Sequence, residues 1–139
     1  MRKIYITLAL CLMLLGTLAG CGKNQKLGGT VTYSDDGSPV TTGTVCFVAD
    51  SFYARGTLDE KGYYQLGTES PGNGIPKGTY QVYIADSQKV MGSNPVPGGG
   101  TMPVFVETIA GKFHSAMTSD ITYKVDGSSK KFDFQVERP

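Results

Sequence analysis

Two alternating runs close the chain and set how the rest of it reads. Ile121, Tyr123 and Val125 are apolar, with Thr122, Lys124 and Asp126 between and after them. Beyond the turn residues Asp126, Gly127, Ser128 and Ser129, Phe132, Phe134 and Val136 alternate with Asp133, Gln135 and Glu137. A period of two puts one set of side chains in a core and the other in water, so these runs predict a hairpin with one buried face. Residues 78–84, GTYQVYI, carry the same signal, with Tyr80, Val82 and Ile84 on one face. Residues 27–33, LGGTVTY, predict the first strand, closed by the turn cluster Ser34, Asp35, Asp36 and Gly37. Ser38, Pro39 and Val40 continue extended, because proline disfavours a helical residue before it. Residues 44–49, TVCFVA, are apolar at nearly every position and predict a central strand covered on both sides, with Cys46 as a small buried hydrophobe.

Residues 54–67, ARGTLDEKGYYQLG, predict a second hairpin. Asp59 can accept backbone amides at the entry of its turn, and Gly62 can take positive φ at the exit. Residues 69–76, ESPGNGIP, read as a loop, and residues 86–103 as a long irregular connection of the kind that is functional or mobile in compact domains. Residues 103–111 predict a short edge strand around Val104, Phe105 and Val106, and residues 111–120 a helical turn near Ser115, Ala116 and Met117. Helical periodicity is sustained nowhere. About seven short strands between turns predict an all-β fold, an antiparallel β-sandwich.

The start of the chain follows another plan. Arg2 and Lys3 precede an almost wholly apolar run over residues 4–15, and the next charge is Lys23. That is the arrangement of a secretory signal, and the run is short for a span, which needs about 20 apolar residues. The stretch Leu18, Ala19, Gly20, Cys21 resembles the lipobox of bacterial lipoproteins: an aliphatic residue, two small ones and a cysteine. The resemblance implies cleavage between Gly20 and Cys21, diacylglycerol on the Cys21 thiol, and a further acyl chain such as palmitate on the new amino group. One acyl chain holds a bilayer marginally and two or three hold it firmly, at about 0.8 kcal/mol per buried methylene. The expected organisation is a signal peptide over residues 1–20, a lipidated cysteine and tether over 21–26, and a β-sandwich domain over 27–139. Gly22 stands where an inner-membrane retention signal of diderm bacteria would place Asp, so the resemblance points to the outer membrane over the inner.

Charge adds mainly exclusions. Of 13 basic residues, Arg2 and Lys3 leave with the signal, so 11 face 12 acidic ones and the mature charge is −1. Such a chain has no electrostatic footprint for nucleic acid and no polybasic support for anionic lipid. Glycine is abundant (19) beside 8 tyrosines and no tryptophan, which favours strands and tight turns over helices. Cys11 falls within the signal segment and Cys21 is the attachment point, so Cys46 is left alone, without a disulfide partner or metal-ligand spacing.

A second resemblance rests on the folded part. GGTVTYSDDGSPVTTGTVCFV over 28–48, GTLDEKGYYQLG over 56–67 and IPKGTYQVYI over 75–84 resemble the strand and turn motifs of carboxypeptidase-regulatory-like domains. TSDITYKVDGSSKKFDFQV over 118–136 is similar to the closing hairpin of the lipoprotein version found in planctomycete-type bacteria. The resemblance implies a transthyretin-like, or prealbumin-like, sandwich. Its motifs are turn and core chemistry, so they speak to fold far more than to activity.

Catalytic patterns are sparse. His114 is the single histidine, which excludes a His-pair zinc site, and the zinc-peptidase residues of the carboxypeptidases themselves are missing. No nucleophile elbow, phosphate loop or Cys-x-x-Cys is present. His114 beside Phe113 and Ser115 reads as structural or exposed. A Ser/His/Asp arrangement through it has no located serine; His114 near a serine and a carboxylate in a pocket would favour catalysis, and a solvated or lone His114 would not. Asp35, Asp36, Asp59 and Asp126 sit beside glycines in turns, where Asp is expected, with calcium loops as the alternative. Tyr53, Tyr63, Tyr64, Tyr80, Tyr83 and Tyr123 read as core and cross-strand packing, with a sugar-stacking platform as the alternative. The expected function is a non-catalytic, lipid-anchored module of the cell envelope, structural or binding a protein or carbohydrate partner, with no cofactor and no metal. The alternative is an accessory hydrolase or ligand-processing envelope protein using His114.

Overall fold

Strand β2, Thr44–Ala49, lies at the middle of the protein, as its unbroken apolar run predicts. The computed structural model describes residues 24–50, 52–70 and 72–139. Strand β3, Phe52–Thr57, pairs antiparallel with β2 on one side, setting Arg55 opposite Cys46. Strand β5, Gly78–Ala85, pairs antiparallel on the other, setting Tyr83 opposite Cys46. Strand β8, Ile121–Val125, adds to β5 and completes a four-stranded sheet in the order β3-β2-β5-β8. A second sheet, in the order β4-β1-β9, joins Tyr63–Gln65, Gly28–Tyr33 and Phe134–Val136. Those seven strands form a β-sandwich. A further pair, β6 (Gln88–Pro95) and β7 (Thr101–Glu107), makes a separate two-stranded arm.

The inner faces follow the alternation read from the chain. Val45, Phe47, Tyr80, Val82 and Ile84 of the larger sheet are buried against Val31, Tyr64, Phe134 and Val136 of the smaller. Phe47 is the hub, its ring centroid 6.2–6.4 Å from those of Tyr64, Tyr80, Tyr123 and Phe132. Buried tyrosines need a partner for the hydroxyl. Tyr64 Oη donates to the Phe132 carbonyl at 2.6 Å and Tyr80 Oη to the Pro76 carbonyl at 3.0 Å. On the outer face Cys46 is fully buried, its Sγ 3.1 Å from Tyr53 Oη.

Three expectations need correction. First, residues 54–67 reverse at the expected turn, but the two runs do not form one hairpin. Asp59 Oδ1 accepts from the amides of Lys61 (2.8 Å) and Tyr63 (2.9 Å), and Gly62 takes φ 74°. Strand β3 then belongs to one sheet and β4 to the other, linked by a reciprocal backbone pair between Arg55 and Gly67. Turn chemistry decides where a chain reverses; the partner of β4 is decided by the free edge that β1 offers. Second, the closing runs are strands but not a hairpin, because β8 pairs with β5 and β9 lies parallel to β1. The sandwich is therefore antiparallel except at that pair. Although the two segments enter different sheets, Tyr123 still stacks on Phe132 at 4.0 Å. Third, residues 86–103 are not irregular, since β6 and β7 pair antiparallel with a register shift between Val90 and Gly92. Both faces of that ribbon are exposed, so no core imposed an alternation to read. The expected turn near Ser115, Ala116 and Met117 is present, closed by the Thr118 and Ser119 amides on the Ser115 carbonyl at 3.2 and 2.9 Å, and a 3-10 turn over Gly111–His114 that buries Phe113 precedes it.

Replacing Phe47 with Ala removes the ring that both sheets share. It is expected to cost about 3–5 kcal/mol, read as a lowered midpoint in equilibrium denaturation.

Candidate functional site

A trough of about 590 Å³ lies on the seam where β3 and β4 pass into different sheets. Core phase decides what lines it. Ala54, Gly56, Tyr64 and Leu66 point inward and are buried, so Arg55, Thr57, Tyr63 and Gln65 must point out. Gly56 lets β3 approach β4 closely under the trough, because a Cβ there would meet the Gln65 carbonyl at 2.5 Å. Glu69 and Ser70 also line it. Among the described residues, the side chains of Arg55, Tyr63, Gln65 and Glu69 make no hydrogen bond or ion pair, and Tyr63 is 44% exposed. The trough thus offers a forked cationic donor, a carboxylate, an amide and an aromatic face, all free for a polar ligand.

His114 is neither alone nor fully solvated. Its Nε2 lies 3.1 Å from Ser87 Oγ and 3.2 Å from Glu107 Oε2. The serine that the sequence could not locate is therefore Ser87, and half of the criterion for catalysis is met. The geometry is nevertheless that of a strut. A nucleophile–base–orienter relay uses both ring nitrogens, one for each partner, and here both partners meet Nε2. A carboxylate can only accept, so Nε2 carries the hydrogen and has no lone pair with which to take a proton from Ser87. Ser87 is 2% exposed, and His114 does not line the trough. What the contact does is fasten the arm: Ser87 precedes β6, Glu107 ends β7, and His114 ends the 3-10 turn. Thr108 reinforces it by donating its amide to the Ser87 carbonyl at 2.9 Å, while its own carbonyl accepts Tyr33 Oη at 2.9 Å.

The turn aspartates are engaged internally. Asp36 Oδ1 accepts the Ser38 hydroxyl at 2.6 Å and the Ser38 amide at 2.9 Å. Those bonds, helped by Arg138, hold its carboxyl down at about 2. Arg138 Nε reaches Asp35 and its Nη2 reaches Asp36, both at 2.9 Å, while the guanidinium lies 3.7 Å from the Tyr33 ring centroid. Asp59 is taken by its own turn, and Asp126 Oδ1 accepts the Ser128 amide at 2.9 Å. Among the described residues no three His, Cys, Asp or Glu side chains are grouped to hold a metal ion.

The tyrosines divide. Tyr64 and Tyr80 are core, Tyr123 is half-buried, and burial pushes the Tyr64 and Tyr80 phenols up. Tyr53 and Tyr63 are exposed, on different strands and not in one row, so no six-ring platform exists; Tyr63 alone faces the trough. The alternation of GYYQLG already placed Tyr63 opposite Tyr64, but Arg55 and Glu69 carried no local signal of being neighbours. Gly20 and Cys21 lie outside the described residues. Among those described, no helix is long and apolar enough to cross a membrane.

No family model and no curated protein matches the chain. Among solved structures it is similar to the major pilin subunit of Bacillus cereus, at 13% identity and a TM-score of 0.42. The likeness covers 84% of this chain and 30% of the pilin, so the chain spans under a third of that protein's length.

Because the folded state lowers the Asp36 carboxyl from 3.8 to about 2, its bonds stabilise fully above 3.8 and are lost as pH falls through about 2. Asp36→Asn is expected to flatten the acid limb of a thermal-midpoint profile between those values, and to leave the slope above pH 5 unchanged.

Proposed function

We propose that this chain is an exported lipoprotein whose β-sandwich is a non-catalytic binding module held at the surface of an envelope membrane. The observation that carries the reading is the order of segments: a charged start, an apolar run, Leu18-Ala19-Gly20-Cys21, and a body whose first backbone bond among the described residues is at Gln25. Four Cα steps separate Cys21 from Gln25, at most about 15 Å. A diacylglyceryl group on Cys21 and an acyl chain such as palmitate on its amine would hold the body against the bilayer, with the outer membrane favoured by Gly22. Kinship with carboxypeptidase-regulatory-like domains is supported by residues 28–33 and 78–84 forming strands as that resemblance implies.

The ligand assigned to the trough is a carbohydrate. Tyr63 offers a face for a sugar ring, and Arg55, Gln65 and Glu69 offer planar hydrogen-bonding groups around it. The hydrolase reading has one observation in its favour, the Ser87–His114–Glu107 contact; the burial of Ser87 and the shared Nε2 weigh against it.

Protein isolated from its native host is expected to begin at Cys21 and to carry the added mass of diacylglycerol and a fatty acid. Cys21→Ala should stay uncleaved and unlipidated; an unmodified mature N-terminus in the wild type refutes the anchor. On a glycan array the wild type should bind, and Tyr63→Ala should weaken binding by up to about tenfold, the loss of one stacking contact.

A further inference from the structure

Backbone bonds along the seam fix the order of side chains in the trough. At one end the Asp59 amide donates to the Tyr63 carbonyl at 3.0 Å and closes the turn. Gly56 meets the backbone of Gln65 in the middle. At the other end Arg55 and Gly67 exchange N–H···O bonds of 3.0 Å. Tyr63 and Arg55 therefore stand at opposite ends, with Gln65 and the outward Thr44–Thr57 pair between them. Four residues separate Tyr63 from Gly67, about 13 Å of extended chain.

The Arg55 guanidinium is free because its cross-strand neighbours carry no anion. Across β2 it faces Cys46, and across the seam Gly67. Tyr53, two residues before it, has its hydroxyl on Cys46 Sγ. A guanidinium holds a carboxylate through two parallel N–H···O bonds, so the fork suits an anion of that shape. Charge limits how many. The charged side chains of the trough are Arg55, Asp59 and Glu69, one cation against two carboxylates. A densely charged chain is repelled there, whereas a single carboxylate seated on the fork is not.

A peptide bearing that carboxylate finds little else to hold. The Arg55 and Gly67 backbones satisfy each other, so the seam has no open strand edge at that end. Apart from Tyr63, no apolar side chain lines the trough. A glycan finds an aromatic face, the Gln65 amide and the Thr44 and Thr57 hydroxyls, which have no hydrogen-bond partner among the described residues. The distance from ring to fork is more than one sugar unit covers. We propose, resting on the carbohydrate reading above, that the trough binds an oligosaccharide carrying a uronic acid. A neutral ring lies on Tyr63 and the uronate carboxylate sits on Arg55.

The test uses the full-length protein in detergent micelles on a glycan array of uronate-bearing oligosaccharides, printed twice. One copy is left as it is, and in the other carbodiimide and borohydride reduce the uronates to neutral sugars. Binding to the uronates is expected to be at least about tenfold tighter than to their reduced counterparts, the worth of one charge-assisted pair. Arg55→Gln should erase that preference with the thermal midpoint unchanged, and Glu69→Gln should raise uronate binding about twofold by removing a like charge. Equal binding to both copies, or a preference that survives Arg55→Gln, overturns the uronate and leaves the carbohydrate reading standing. A glutamate-rich peptide that competes as well as a uronate oligosaccharide overturns it in favour of an acidic peptide. Silence on both copies rejects the carbohydrate reading and the uronate together.

Discussion

The fold depends on Phe47 meeting rings from both sheets. It comes from the central strand of the larger sheet, Tyr64 comes from the smaller, and Phe132 comes from the connection that carries the chain between them. A core without tryptophan obtains its bulk from such rings, and each large ring withdraws apolar surface that several small side chains would otherwise have to supply. Tyrosine contributes a second property. Tyr64 and Tyr80 send their hydroxyls to the carbonyls of residues 132 and 76, both in connecting segments. Apolar packing and loop position are thereby coupled: a connection cannot move without stranding a buried phenol.

A comparable coupling organises the other end. The chain's last strand lies parallel to its first, and the residues that follow return to the first turn. Arg138 covers Tyr33 and forks to Asp35 and Asp36, while Tyr33 passes its hydroxyl to the Thr108 carbonyl at the base of the arm. These charges are well exposed, so the ion pairs add little net stability. Their effect is placement. They bring the C-terminal residues, the first turn and the arm root to one corner, where the His114 strut completes the fastening.

What could be read from the chain follows from which constraint wrote it. Strands β1, β2 and β5, and the apolar positions of β8 and β9, were legible because a buried face imposes a period of two, and Asp59–Gly62 was legible because the turn needs those residue types. Pairing was not legible. Ile121–Val125 and Phe134–Val136 look like two arms of one hairpin because both face the same core, and local pattern cannot distinguish neighbours in one sheet from partners across a sandwich. Of the β6–β7 arm only the strand around Val104, Phe105 and Val106 was legible; with both faces wet and a bulge in β6, the rest carries no periodic signal. The trough was half visible. Tyr63 could be placed outward by its neighbour Tyr64, whereas Arg55 and Glu69 meet it only because β3 and β4 part company after a shared turn.

That parting has a consequence for where such a protein can bind anything. Within a sheet, outward side chains on adjacent strands are held about 5 Å apart and partner one another, as Tyr53 and Cys46 do. At a seam the strands separate, and side chains that would have paired across the ladder face open space. Arg55, Tyr63 and Gln65 are left without partners for that reason. The arm is the same situation carried further, since β6 and β7 have no third strand and no second sheet. A small sandwich uses nearly all its apolar side chains to close its core. The surfaces free to recognise another molecule are then those its own topology cannot satisfy.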